Sequence, residues 1–287
     1  MNVGMRLSML LPALAVIALP AVAQARGARP PCTATLDLLP ARIDAPGRYC
    51  LTSDHAIPSG FTAVEINSNH VVLDCRGHAL TALPSPLYVT GISIQNNFNA
   101  PGLHDVTVQN CRISGFAIAI HARPTASTVN RSIRLSNNFL SDFNEGVRMH
   151  ATDSYLTDNI LDGGDREGVK YGMGLESSLR NILFNNTIYN LHGAETRGIF
   201  ISGTASSVLN NRIYDLSVTG PGPSAIGVDQ QGGTLLLSGN TIVPIDGQAL
   251  QLMGSTATCL DNVSVGDGAQ AFAACLPGAS ARNIAVP

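Results

Sequence analysis

The chain has 287 residues, a formal net charge of −3, and 13% charged against 45% hydrophobic residues. Acidic and basic residues are interspersed throughout, so no cationic stripe marks a nucleic-acid partner. With 28 glycines, no tryptophan and recurrent asparagine, the composition suits a chain of many turns better than a helical domain.

The first element is a polar start carrying Arg6, an apolar run over residues 7–19, and then AVAQA with small residues at Ala23 and Ala25. This is the pattern of a secretory signal cleaved at Ala25/Arg26. The apolar run is too short to cross about 30 Å of hydrocarbon. No later stretch is long or apolar enough to span a bilayer, so the mature chain is expected to be secreted or periplasmic, without a membrane span. Cleavage removes one charge, Arg6, and takes the formal balance to −4.

All six cysteines, Cys32, Cys50, Cys75, Cys111, Cys259 and Cys275, follow the signal. An even count in an oxidising compartment reads as three disulfides, for which 15 pairings exist. Cys32 with Cys50, Cys75 with Cys111, and Cys259 with Cys275 are the pairings that join neighbours along the chain. Residues 26–62, with PGRYCLTSD, are assigned to an N-terminal cap and first strands. The tail after Ala271 is assigned to a C-terminal cap.

Between the caps one pattern recurs: AVEIN at Ala63, GISIQ at Gly91, AIAIH at Ala117, GVRMH at Gly146, GMGLE at Gly172, GIFIS at Gly198, AIGVD at Ala225 and ALQLM at Ala249. Each copy starts with Gly or Ala and then alternates an aliphatic with a variable residue, the period of a strand with one buried face. A second run follows each first one and ends in Asn: Asn110, Asn138, Asn159, Asn186, Asn211 and Asn240. A third short apolar piece, such as CRI, NFL, NTI or NRI, completes the unit. Three strands and three bends thus use about 26 residues. Such a unit cannot bury its own apolar face; stacked copies about 4.8 Å apart pair every backbone group and fill a continuous core. The expected fold is all-β: a single-stranded parallel β-helix of about nine coils over residues 63–287, capped at both ends. The asparagines are expected to form a ladder at a sharp turn.

VVLDCRGHAL (71–80), the GIxI strands and the NNTI-type turns resemble the right-handed parallel β-helix repeat proteins of the pectin-lyase-like superfamily, over essentially the whole mature chain. The resemblance implies right-handed winding, PbH1-type repeats, a polysaccharide or oligosaccharide partner, and a substrate groove over the GIxI strand. Members of that superfamily include polysaccharide lyases, glycoside hydrolases, uronate epimerases, phage depolymerases and non-catalytic surface proteins, so fold does not settle activity. The NTD, DD, GHG and RIK motifs of polygalacturonases are absent, with Asn144-Glu145 standing where DD would be. The DPH motif of mannuronan epimerases and the calcium-binding aspartates of pectate lyases have no counterpart either.

Alternation places the third and fifth residues of each copy outward. Together with the residues just before the strands, these positions concentrate titratable groups in the middle coils: His121, Arg148, His150, Lys170, Tyr171, Glu176, Glu195, Arg197 and Asp229. This mix suits an acidic polysaccharide cleaved by β-elimination, with Arg148 and Arg197 neutralising the uronate and His150, Lys170 or Tyr171 moving protons. His121, Glu176, Glu195, Phe200 and Asp229 are then substrate contacts. An alternative is inverting hydrolysis by Glu176 and Asp229, read as sharing a column two coils apart. A second is a monomeric, non-catalytic rod that binds glycan. No cofactor is required in any of these; DGGDREG (162–168) is the one candidate calcium loop, and His121, His150 and Glu176 one weighed metal set.

Overall fold

The computed structural model describes residues 30–84, 89–96, 100–124, 128–164, 168–220, 224–245, 247–266, 271–273, 275–278 and 280–286. The chain divides into two units, Met1–Pro31 and Cys32–Pro287. Residues 1–25, expected from the sequence to be a cleaved signal, lie outside the described residues.

The second unit is a parallel β-helix whose coils each contribute strands to three faces. The first face stacks Val64–Ile66, Thr90–Ile94, Ile118–Ala122 and Glu145–Met149, then the leading parts of Val169–Leu179, Glu195–Thr204, Ala225–Ser238 and Gly247–Leu260. The second begins with Ala34–Leu36, Gly47–Leu51 and Val71–Asp74 and continues through Arg134–Ser136, Tyr155–Thr157 and Ile182–Phe184. The third is a sheet of ten strands from His55–Ile57 to Ile284–Val286. The described pairings between coils are parallel, as stacking of equivalent strands requires. No helix among the described residues is long and apolar enough to cross a membrane.

Aliphatic columns fill the interior, one running Val64, Ile92, Ile120, Val147, Met173, Ile199, Val228 and Leu250. Beside it runs a column of the smallest side chains, because third-face residues press against it. A Cβ at Gly172 would lie 2.4 Å from the Gly198 carbonyl oxygen and 2.6 Å from Ile188, and one at Gly227 2.2 Å from Ile242. Real side chains do not approach so closely, so only Gly, or Ala where the neighbours permit, occupies this column.

The asparagine ladder is present. Asn138, Asn159, Asn186, Asn211, Asn240 and Asn262 each donate a side-chain amide hydrogen bond to the next rung at 2.9–3.1 Å, the last of them to Asn283. The residue before each rung is left-handed, as at Asn137, Asp158, Asn185 and Asn210, with φ between 53° and 57°. Asn110 is one of these left-handed residues, with φ 55°, and its amide donates to Asp74 instead. Cys111 takes the ladder position in that coil: its backbone N–H donates to Asn138 Oδ1 at 3.0 Å. Disulfides join Cys32–Cys50, Cys75–Cys111 and Cys259–Cys275.

Candidate functional site

Register fixes which side chains meet on the outer side of the first face. One row reads Glu65, Ser93, His121, Arg148, Gly174, Phe200, Asp229, Gln251. His121 and Asp229 therefore stand in the row of the third position, two residues away from the alignment expected from AIAIH and AIGVD. The reason is the small-residue column: Ala119 and Gly227, not Ala117 and Ala225, occupy it, as the close approaches of Ala119 O to Gly91 and of Ile242 to Gly227 require. Glu176 and Asp229 consequently share no column, and the carboxylate pair expected for hydrolysis is not formed by them.

Two clusters result. In the first, Arg148 lies between two carboxylates, its Nε 3.0 Å from Glu176 Oε1 and its Nη1 3.5 Å from Glu145 Oε1. His150 Nε2 approaches Glu176 Oε2 at 3.2 Å. Arg123 Nε donates to His121 Nδ1 at 3.2 Å. Burial shapes the protonation of this group. It lowers His121 to about 3, with the charges of Arg123, Arg148 and His150 acting in the same direction, so this imidazole is neutral at neutral pH. Burial also lowers His150, against the opposing pull of Glu176. It raises the Glu145 carboxyl above its ordinary range, and the charge on Arg148 only partly offsets that.

In the second cluster, Arg197 Nε donates to the fully buried Asp229 at 2.6 Å, and its guanidinium pairs with Glu195. Arg197 Nη1 also donates to the Tyr171 hydroxyl at 2.8 Å, and that hydroxyl donates to Glu195 Oε1 at 3.0 Å. Tyr171 and Phe200 stack with centroids 5.8 Å apart and planes 16° from parallel. The guanidinium lies 5.4 Å and 5.6 Å from the two rings. The result is a rigid aromatic surface with polar groups at its margin.

Between the clusters the outward row holds Gly174. A Cβ there would meet only ordinary contacts, 3.7 Å from Val147 O and 3.9 Å from Tyr171, so the row of side chains has a gap, a notch between Arg148 and Phe200 in register, over a backbone that is itself buried.

Lys170 is not on this face. It is fully buried, and Nζ donates to the carbonyls of Phe143 at 2.7 Å and Gly163 at 2.8 Å. It turns inward because alternation from Tyr171, which faces outward, sends its neighbour to the interior. A role in proton transfer at the groove is therefore withdrawn. Of the expected calcium loop, residues 165–167 lie outside the described residues. His121, His150 and Glu176 do not converge as an ion-holding group among the described residues. Glu145, noted in the sequence only where the DD motif of polygalacturonases would stand, and Arg123 were not among the expected site residues; the register of Glu145 with Tyr171, and the Gly/Ala column, are the signals that place them.

The face is not cationic. Arg123, Arg148 and Arg197 stand against Glu145, Glu176, Glu195 and Asp229, and two of the three arginines are engaged by these carboxylates.

Comparison with known proteins follows the fold. Residues 90–265 match the family described as right handed beta helix region. A search of the curated proteins finds no match. Among solved structures, a surface adhesin of Streptococcus pneumoniae is similar at a TM-score of 0.50 and 15% identity, covering 75% of this chain and 60% of that one. An alpha-1,3-glucanase catalytic unit from Streptomyces thermodiastaticus reaches 0.47 at 16% identity, covering 86% and 62%. The A-module of a mannuronan C-5 epimerase from Azotobacter vinelandii reaches 0.35 at 10%, covering 84% and 87%. The chain thus spans about three fifths of the length of the adhesin and the glucanase unit.

Proposed function

Starting from the premise that this chain belongs to the right-handed β-helix family, as its match over residues 90–265 establishes, we propose that it binds an oligosaccharide across the first face, at the Gly174 notch, and hydrolyses a glycosidic bond there. Sugars present apolar C–H faces edged by hydroxyls. The Tyr171–Phe200 stack with Arg197 and Glu195 at its margin has the matching chemistry.

The observation that carries the hydrolytic reading is the clamp on Arg148. Two carboxylates held by one guanidinium lie no more than about 9 Å apart, an upper bound that admits the separations of paired carboxyls in glycoside hydrolases. Glu145, raised by burial, is the general acid that protonates the departing oxygen. Glu176, beside His150, is the carboxylate that activates water or attacks the sugar. A carboxyl that burial pushes toward its protonated form is what the acid in such a reaction needs.

Elimination from a uronate is the second reading, favoured by the Arg197 hydrogen bond to the Tyr171 oxygen, which fixes a proton-carrying hydroxyl beside a cation. It stands second because Arg148 and Arg197 would have to leave Glu176 and Asp229 to neutralise a substrate carboxylate. Three disulfides support a place of action in an oxidising compartment, secreted or periplasmic.

A panel of neutral and uronate-containing glycans, read for binding, reducing ends and unsaturated-product absorbance, tests both. Glu145→Gln and Glu176→Gln are expected to lower reducing-end release at least about 100-fold while leaving binding in place. Gly174→Phe, which fills the notch without backbone strain, is expected to remove binding as well. Undiminished release by Glu145→Gln would overturn the hydrolytic reading. Unsaturated product that disappears in Tyr171→Phe would replace it with elimination.

A further inference from the structure

A second group of chemistry-bearing side chains lies away from this face, on the turn that leads from the first face to the second in the early coils. His70 precedes Val71–Asp74, and His104 and Asp105 precede Thr107–Gln109, one coil further on. The ligand-capable atoms of His70, His104 and Asp105 all lie within 4.8 Å of one another. His104 Nδ1 is 2.9 Å and His70 Nδ1 3.4 Å from the same Asp105 oxygen, Oδ2. The edge of a tetrahedron with metal–ligand bonds of 2.0–2.1 Å is about 3.4 Å, so each histidine already stands near that spacing from the Asp105 oxygen, and the two histidine donors lie within 4.8 Å of each other.

The backbone holds them there. His70 and Asp105 are both left-handed, with φ 56° and 55°. The His70 N–H donates to the His104 carbonyl at 3.2 Å, and the His104 N–H donates to Asn69 Oδ1 at 2.8 Å. The two turns are therefore locked to each other by the same inter-coil bonds that build the helix. The imidazole rings of His70 and His104 meet edge to face, 4.8 Å apart. Solvent reaches the group, since the side chains of His70 and Asp105 are more than half exposed. A cleft of about 470 Å³ opens beside it, lined by His104, Asn69 and Arg131 among others.

We propose that His70, His104 and Asp105 form a binding site for a borderline-soft divalent cation of the zinc class, separate from the glycan-binding face. Two imidazole nitrogens and one carboxylate oxygen select zinc, nickel or copper over calcium and magnesium, which take all-oxygen shells. Three protein ligands leave a further position on the ion free for water or for a small anion entering the cleft. Arg131, whose backbone bridges to His104, supplies a positive charge at the cleft's lining for such an anion.

The test uses the full exported chain without a histidine tag, stripped of metal and titrated calorimetrically with zinc chloride and, separately, calcium chloride. One equivalent of zinc is expected to bind with micromolar or tighter affinity, and calcium to bind at least a hundredfold more weakly. His70→Ala and His104→Ala should each weaken zinc at least tenfold, and cobalt(II) should give visible d–d bands that vanish in the double variant. Asp105→Asn, which keeps the size and left-handed tolerance of the residue, separates loss of a ligand from loss of fold and should also weaken zinc. Zinc binding unchanged in the double variant, or no saturable zinc binding to the parent chain, would overturn the site. Glycan hydrolysis unaltered by these variants is the expected companion result, since the two sites share no residue.

Discussion

At the scale of single residues, the consequence of burial is most direct at His121. Its ordinary pKa is 6.5, and burial in the fold lowers it to about 3. Between those values the unfolded chain binds more protons, so the stability this group allows is complete above pH 6.5 and is lost as pH falls toward 3. His150, lowered by burial, acts with the same sign. Glu145 acts oppositely: raised in the fold, it contributes most at low pH and loses that contribution as pH rises through its shifted value. The lowered aspartates Asp74, Asp105 and Asp153 act only as pH falls below their ordinary 3.8. The window from pH 6.5 to 4 is therefore where the histidines dominate. Urea unfolding at pH 7.5, 6 and 5 is expected to show stability falling by up to about 1.4 kcal/mol per pH unit for each histidine. His121→Asn should flatten that decline. An unchanged slope in the variant would remove His121 from the account.

At the scale of elements, the ladder turn separates two asparagines that are adjacent in the chain. Asn186 is buried; it accepts from the Asn159 backbone and side chain and donates to the Leu156 carbonyl at 2.8 Å and to Asn211. Removing it leaves several interior groups without partners, each worth about 1–3 kcal/mol when orphaned. Asn185 is exposed and serves by adopting φ 54°, where an ordinary residue costs about 1–2 kcal/mol. Asn186→Ala is thus expected to destabilise by about 3 kcal/mol or more and Asn185→Ala by about 1 kcal/mol, read from denaturant midpoints. Equal costs would mean that the ladder is ornamental. The ladder was legible in the sequence because its repeat is regular from Asn138 to Asn240. What the pattern misplaced was Asn110, since a left-handed residue and a rung are both met by Asn, and only the turn geometry distinguishes them.

At the scale of the whole molecule, a stacked solenoid is stabilised coil by coil, so its ends are its weak points. Cys259–Cys275 closes a segment of 16 residues at the last coils, where Val263–Val265 pairs with Ile284–Val286. A loop of that size is worth about 3 kcal/mol to the folded state. Cys259→Ser with Cys275→Ser is expected to speed hydrogen exchange first in Ile284–Val286 and Val263–Val265, leaving coils around Ile188 protected. Uniform acceleration along the chain would show instead that the molecule unfolds as one unit. The sequence by itself determined the class of fold, the paired cysteines and the asparagine turns, because each is a local requirement repeated in every coil: an apolar alternation, a tight bend, a thiol near its partner. The tertiary structure alone decided which outward residues meet. A shift of two residues preserves alternation but moves a side chain to a different row, and only the third-face residues pressing on Gly91 and Gly227, with the Ala119 carbonyl close against Gly91, set that register. It brought His121 beside Arg148 and Asp229 beside Phe200, and alternation within the same coil sent Lys170 inward from the groove it had been expected to line.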